Sequence, residues 1–320
     1  MNDALPLGDS PLRSIDSVEL GLSEAGYIAN RQISTAIYMA HHLQKPILVE
    51  GPAGVGKTEL AKSVASWLKL PLIRMQCYEG LDESKALYEW KYGKQLLYTQ
   101  ILKDKINSVI GDADDLATAL DKLHAFGDVF FSHQFLEPRP LLRSLQEPRG
   151  SVLLIDEIDK SDQEFEAFLL EILSDYQVTI PEIGTVSAMV PPIVLLTSNA
   201  TRDLGDALKR RCLHLHIGFP DDKLEAKIIG SRVPGIDARL LKQLVSFAQQ
   251  LRTMDLKKVP SVSETIDWAK IMMLLHTSVL EVDLVRDTLN VLLKFEADIE
   301  AAGKQLAGLT HKARQDAGIA

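Results

Sequence analysis

The chain has 320 residues, 46% of them hydrophobic and 25% charged, which allows a normal core and suggests one large domain plus a smaller one. A formal net charge of -9 argues against a surface that wraps a nucleic-acid backbone, although a local basic pore is compatible with it. The two cysteines, Cys77 and Cys212, form no disulfide framework. The N-terminus lacks a basic-then-apolar leader, and no apolar run is long enough to span a bilayer, so a soluble cytoplasmic protein without membrane insertion is expected.

Residues 1–20 mix Pro, Gly, Ser and Asp and are expected to form a mobile arm. Ile28, Ile33, Ile37, Tyr38 and Leu43 recur at helical spacing and predict a helix over 25–43. A short strand is predicted over 46–50, a helix over 57–69 and a second strand over 72–77. Residues 82–106 predict a helix, weakest at Gly93, whose Tyr88, Trp90, Tyr92 and Tyr98 suit a packed core better than a client-gripping surface. An acidic helix is predicted over 112–124 and a short Pro-led one over 138–147.

Residues 151–155 are apolar after the serine, the pattern of a strand buried on both faces of a parallel sheet. Over 161–174, Ser161 and Glu164 form a capping-box pattern, and Phe165, Phe168, Leu169 and Ile172 make one stripe of an amphipathic helix. Residues 176–190 alternate about Gly184-Thr185 as a hairpin would, and 193–197 and 213–217 are two more strands. Strands alternating with helices give an α/β fold, a three-layer parallel sheet with helices on both faces. After Phe219-Pro220-Asp221-Asp222 only helical periodicity remains, over 223–231, 237–252, 261–278 and 282–302. The expected organisation is an arm at 1–20, an α/β nucleotide-binding domain at 21–220, an all-helical lid at 221–302 and a fraying tail at 303–320.

The chemistry is concentrated in four places. Gly51-Pro52-Ala53-Gly54-Val55-Gly56-Lys57-Thr58 fits G-x-x-x-x-G-K-[ST] in full, with a strand before it and a helix after it. Glycines allow the backbone to close around phosphates, and the helix start adds a positive dipole end. In that pattern Lys57 reaches the β- and γ-phosphates of ATP, Thr58 ligates Mg2+, and Glu59 opens the helix beside them. Val152-Leu153-Leu154-Ile155-Asp156-Glu157 ends a buried strand in two carboxylates: Asp156 for the metal's hydration shell, Glu157 as general base for the attacking water. Ile193-Val194-Leu195-Leu196-Thr197-Ser198-Asn199 ends in polar residues, of which Asn199, with Ser198 second, is suited to orient that water. Asp159 reads as a solvated neighbour. Arg211, or else Arg210, lies on a short helix and could reach a neighbouring subunit's γ-phosphate, which would require an oligomer.

With these residues in view the chain resembles an AAA+ ATPase of the MoxR family from about Gly26 to the lid near 290. The matching stretches are Leu48-Val49-Glu50-Gly51 through Lys57-Thr58-Glu59-Leu60-Ala61, Leu154-Ile155-Asp156-Glu157-Ile158, Thr197-Ser198-Asn199 and Ala207-Leu208-Lys209-Arg210-Arg211. The stretch from Gln76-Cys77-Tyr78-Glu79-Gly80-Leu81-Asp82 to Leu87-Tyr88-Glu89-Trp90 resembles the branch with accessory ATPases for carbon monoxide dehydrogenase maturation. The resemblance implies a ring oligomer, often a hexamer, that remodels a protein client in a chaperone-like way, often beside a partner with a von Willebrand A domain. It also implies an insert, matched to 82–106, and a hairpin before the sensor strand, matched to 176–190. The family's lid pattern Pro-Ser-x-Arg reads Pro260-Ser261-Val262-Ser263 here, so either another arginine, with Arg252 or Arg232 nearest, replaces the lid sensor missing at Ser263, or lid sensing is lost. The alternatives on this fold are a nucleic-acid motor or loader, a P-loop transferase, and a nucleotide-gated scaffold with little turnover.

Overall fold

The computed structural model describes residues 11–110 and 131–319, so the acidic helix expected over 112–124 lies outside the described residues. Five strands form one parallel sheet: β1 (Ile47–Glu50), β2 (Leu72–Gln76), β5 (Val152–Asp156), β8 (Ile193–Ser198) and β9 (Leu213–His216), in the order β2-β5-β8-β1-β9. Strand pleating sends alternate residues to opposite faces. Leu153 and Ile155 of β5 join one apolar cluster, with Leu48, Val194 and Leu196. Val152 and Leu154 join another, with Ile47, Val49 and Leu195. Both faces are therefore covered, as a parallel sheet requires.

The second face is covered by α1 (Ile15–Glu24), α2 (Arg31–Leu43) and α3 (Lys57–Leu68). Here the arm expected at 1–20 is corrected within the described residues. Ser14 caps α1, and Val18 and Leu22 are fully buried, so the apolar spacing of this stretch outweighs its polar composition. The helix expected from 25 starts later, at Arg31, because Asn30 accepts from the Ile33 N–H at 2.9 Å and caps it.

The first face is covered by α6 (Pro140–Gln146) and α7 (Gln163–Asp175). The N-cap of α7 is Asp162, which accepts from the Phe165 N–H, whereas Ser161 donates to the Ile158 carbonyl; the expected Ser161–Glu164 capping box is absent. The single helix expected over 82–106 is also corrected. It divides into a turn of helix α4 (Glu83–Ala86), a strand β3 (Tyr88–Trp90) antiparallel to β4 (Leu136–Pro138), and α5 (Tyr92–Ile110). Tyr-Glu-Trp alternates and is rich in β-formers, so a partner strand supplied from 46 residues downstream overrides the helical reading. Trp90 is buried, while Tyr92 and Tyr98 are exposed, which divides the aromatic run between core and surface. The hairpin expected at 176–190 forms as β6 (Gln177–Ile180) and β7 (Gly184–Ser187). A short helix, α8 (Asp206–Arg211), precedes β9.

The rest is helical: α9 (Asp222–Arg232), α10 (Ala238–Arg252), α11 (Val262–Leu274), α12 (Val282–Leu292) and α13 (Glu296–Asp316), around one core centred on Phe247 and Trp268. Of the residues expected to fray, 303–316 belong to α13. Leu306, Thr310 and Ala313 are buried on its inner face, so this helix extends the lid beyond 302. Among the described residues no helix is long and apolar enough to cross a membrane.

Candidate functional site

The loop 51–56 leaves β1 and enters α3 through three glycines of positive φ: Gly51 at 151°, Gly54 at 74° and Gly56 at 99°. At two of them there is also no room for a side chain. A Cβ on Gly51 would stand 2.0 Å from the Ile217 carbonyl oxygen, and one on Gly54 would stand 2.3 Å from Ser261 Oγ. The loop is therefore wedged between the end of β9 and the start of α11.

Lys57 is buried, and its Nζ donates to the Gly51 carbonyl at 2.6 Å, the Pro52 carbonyl at 2.8 Å and Asn199 Oδ1 at 2.8 Å. Burial lowers its pKa, opposed by the negative charges of Asp159, Asp156 and Glu157. Thr58 Oγ1 donates toward Asp156, 3.1 Å from Oδ1 and 3.3 Å from Oδ2. Lys57, Thr58, Asp156 and Asn199 thus meet in one place, although 142 residues separate the first from the last. The meeting follows from strand order, since β8 lies between β1 and β5 and all three end on the same side.

Glu157 turns the chain out of β5 with a left-handed φ of 57°, a conformation that is costly for a non-glycine residue and needs support from its surroundings. Its N–H donates to Thr197 Oγ1 at 2.9 Å, and that hydroxyl in turn donates to Asp156 Oδ1 at 2.5 Å. Glu157 Oε2 accepts from Gln76 Nε2 at 2.9 Å and pairs with Lys160 Nζ at 2.6 Å. Arg74 closes the set, its Nη2 2.6 Å and its Nε 3.1 Å from Asp156 Oδ2. Hard oxygen donors on Thr58 and Asp156 suit magnesium, an ion usually held by one or two carboxylates and substrate phosphates rather than by a protein cage. No cluster of three or more His, Cys, Asp or Glu poised for a metal occurs among the described residues.

Three residues have roles that the sequence reading missed. Thr197, the one hydroxyl at the end of an apolar run, joins Asp156 to the Glu157 backbone. Asp159 is buried, not solvated: it accepts from the Asn199 N–H at 3.2 Å, the Thr201 N–H at 3.1 Å and Thr201 Oγ1 at 2.6 Å, fixing the turn that carries Asn199. Burial alone would raise its pKa, but these hydrogen bonds outweigh that and hold it below the usual carboxylate range. Tyr27, whose burial pushes its hydroxyl well above the usual range, backs Gly56. Ser198 accepts from the Ala200 N–H at 2.9 Å and is fully buried, so it shapes the turn. Cys77 lies behind Asp156, and its thiol is pushed up to about 12, mainly by burial.

A cavity of about 690 Å³ opens between this loop and the lid, lined among others by Tyr27, Gly54, Glu59, Phe219, Arg232 and Ser263. Arg232 Nη2 donates to Glu59 Oε1 at 2.6 Å, and Ser263 Oγ to the Gly54 carbonyl at 3.3 Å. Arg252, by contrast, is committed to a buried ion pair with Glu225. Arg211 is exposed at the end of α8, its Nε donating to Ser174 Oγ at 2.6 Å; Arg210 beside it is exposed as well.

Residues 46–212, just over half of the chain, match the AAA domain (dynein-related subfamily). Over 219 residues the chain is 26% identical to an uncharacterized protein of Staphylococcus epidermidis, covering 66% of this chain and 70% of that one. Uncharacterized proteins of two Staphylococcus aureus strains are similar to the same extent, 26% over 219 residues. A five-stranded parallel core carrying this match, followed by a helical lid, makes the chain a member of the AAA family, in its dynein-related subfamily.

Proposed function

We propose that this protein is a magnesium-dependent ATPase of the MoxR type that works as a ring oligomer, a hexamer by family likeness, to remodel or mature a protein client. The observation that carries the reading is a pair of contacts made by neighbouring residues of one loop: Lys57 bonds Asn199, and Thr58 bonds Asp156. In this reading the loop from Gly51 to Gly56, with Lys57, Thr58 and Glu59, holds the triphosphate, and the cavity beneath the lid takes the nucleoside. Thr58 and Asp156 would hold the magnesium ion, which supplies charge neutralisation to the phosphates when bound. Glu157 takes the proton of the attacking water, and Asn199 orients that water from the end of the neighbouring strand. Glu157 must first give up its contacts with Gln76 and Lys160.

Arg211, with Arg210 as the alternative, acts on a neighbouring subunit's nucleotide, in keeping with its exposure at the end of α8, where its Nε bonds Ser174. Arg232, which already faces Glu59 across the cavity, takes the lid-sensor role, since Arg252 is held in its buried pair with Glu225. A protein client suits the net charge of -9 better than nucleic acid does. It also suits α5, where Tyr92, Leu96, Leu97 and Ile101 are all more than half exposed. A von Willebrand A partner and a cytoplasmic setting complete the proposal.

Phosphate release from the assembled protein tests it. Glu157→Gln is expected to lower the rate by about 10²–10⁴-fold while ATP binding persists, and Lys57→Ala to lose ATP binding. Arg211→Ala hydrolysing at the wild-type rate in an intact ring would remove the trans assignment. Salt-sensitive stimulation by DNA would replace the protein client with a nucleic-acid one.

A further inference from the structure

Asp156 is deeply enclosed, its side chain 5% exposed, and a carboxylate in such a place needs a cation beside it. Lys57 does not serve: its Nζ is spent on two carbonyls and Asn199, and it makes no close ion pair with Asp156 among the described residues. The cation is Arg74. Asp156 Oδ1 is taken by Thr58 and Thr197, while Oδ2 holds the guanidinium at 2.6 Å and 3.1 Å and meets Thr58 at 3.3 Å. The carboxylate oxygen that the guanidinium occupies is therefore also in reach of the metal-side hydroxyl.

Arg74 is placed so that it can leave. Its side chain is 51% exposed, on an edge strand of the sheet. Its Nη2 also donates to Gln76 Oε1 at 2.9 Å, two residues along the same face of β2. It can release Asp156 and keep a partner.

We propose that Arg74 is a placeholder for the divalent cation: in the nucleotide-free protein it neutralises Asp156, and it yields that carboxylate when magnesium binds. The inference rests on reading Thr58 and Asp156 as the metal-side pair. Arg74 is a positioning residue in this scheme, since it acts through Asp156. Two cations that draw on one carboxylate weaken each other's hold reciprocally. Arg74 therefore sets the magnesium concentration at which the site loads.

The test uses the full chain and reads melting and metal titration, not turnover. Arg74→Gln is expected to melt a few degrees below wild type in EDTA, because Asp156 is left without its cation. Magnesium alone, without nucleotide, should restore most of that loss while shifting wild type little. When magnesium is titrated against a fluorescent ATP analogue, the half-saturating magnesium concentration of Arg74→Gln should be lower than wild type by roughly fivefold or more. Arg74→Lys, which keeps the charge without the planar fork, should fall between the two and serves if the glutamine variant folds poorly. Equal magnesium midpoints for wild type and Arg74→Gln, or a melting loss that magnesium leaves unrepaired, would overturn the proposal. A wild-type chain that ignores the ATP analogue at every magnesium concentration would defeat the ATPase reading instead, and melting in magnesium alone would still decide the role of Arg74.

Discussion

Two arginine–carboxylate pairs do opposite work in the two halves of this protein. In the sheet domain Arg74 reaches Asp156 from a half-exposed position and shares itself with Gln76. At the base of the lid Arg252 meets Glu225 through both Nη atoms at 2.6 Å and 2.7 Å, with side chains 7% and 0% exposed. Arg252 Nε donates to the Pro260 carbonyl at 2.8 Å, and its guanidinium stacks on Phe219, 4.8 Å from the ring centre. Glu225 also accepts from Gln249 at 2.8 Å. Phe219 is in the segment that enters the lid and Pro260 in the one that leads to α11, so this closed pair fixes the lid at its root. The same chemistry is an anchor where both partners are buried, and a separable contact where one partner faces solvent.

The largest effect that would break this comparison is on the lid. Arg252→Met is expected to cost about 3–5 kcal/mol, because it leaves Glu225 buried without its cation. Urea unfolding followed by tryptophan fluorescence should show it, since Trp268 is in the lid core. Changing Glu225 to Leu in the same chain should return much of the loss, as apolar replacement of a whole buried pair often does. If Arg252→Met unfolds like wild type, the anchor role fails, and Arg252 becomes available again as a nucleotide sensor.

The sheet domain was more legible in the sequence than its surroundings, for physical reasons. The glycine-rich loop, the carboxylate-tipped strand and the strand ending at Asn199 are each written in consecutive residues, and parallel strand order brings them together. What was missed depends on contacts between distant segments. Tyr88-Glu89-Trp90 looks helical until Leu136-Glu137-Pro138 pairs with it. Asp159 looks solvated until the Asn199–Thr201 turn folds over it. Leu306 and Ala313 look like part of a polar tail until α10 packs against their face. Arg252 and Arg232 were equal candidates by sequence spacing; only the buried Glu225 separates them.

A middle-sized effect sharpens the comparison from the site side. Thr197→Val keeps the shape of the side chain but removes a hydroxyl that bonds both Asp156 and the Glu157 N–H. The expected cost is about 1–3 kcal/mol, the range for buried polar groups left without a partner, read as a lower melting temperature in EDTA. Arg74 then carries Asp156 with Thr58 alone, so magnesium should narrow the gap to wild type. A loss that does not depend on magnesium would mean that Thr197 supports only the Glu157 turn.

The smallest effect concerns the point where the two regions touch. Ser263 offers only a 3.3 Å hydrogen bond from an exposed hydroxyl to the Gly54 carbonyl. Such a bond contributes about 0.5 kcal/mol or less net, so Ser263→Ala should change affinity for an ATP analogue by no more than about threefold. Arg232→Ala should weaken it more, because it removes the guanidinium that spans from the lid to Glu59 at the start of α3. Measured side by side by nucleotide titration, the two variants rank the lid's contacts with the loop. If Ser263→Ala proved the more damaging, the lid would be sensing the phosphate loop through its backbone, and the arginine would serve only to close the cavity.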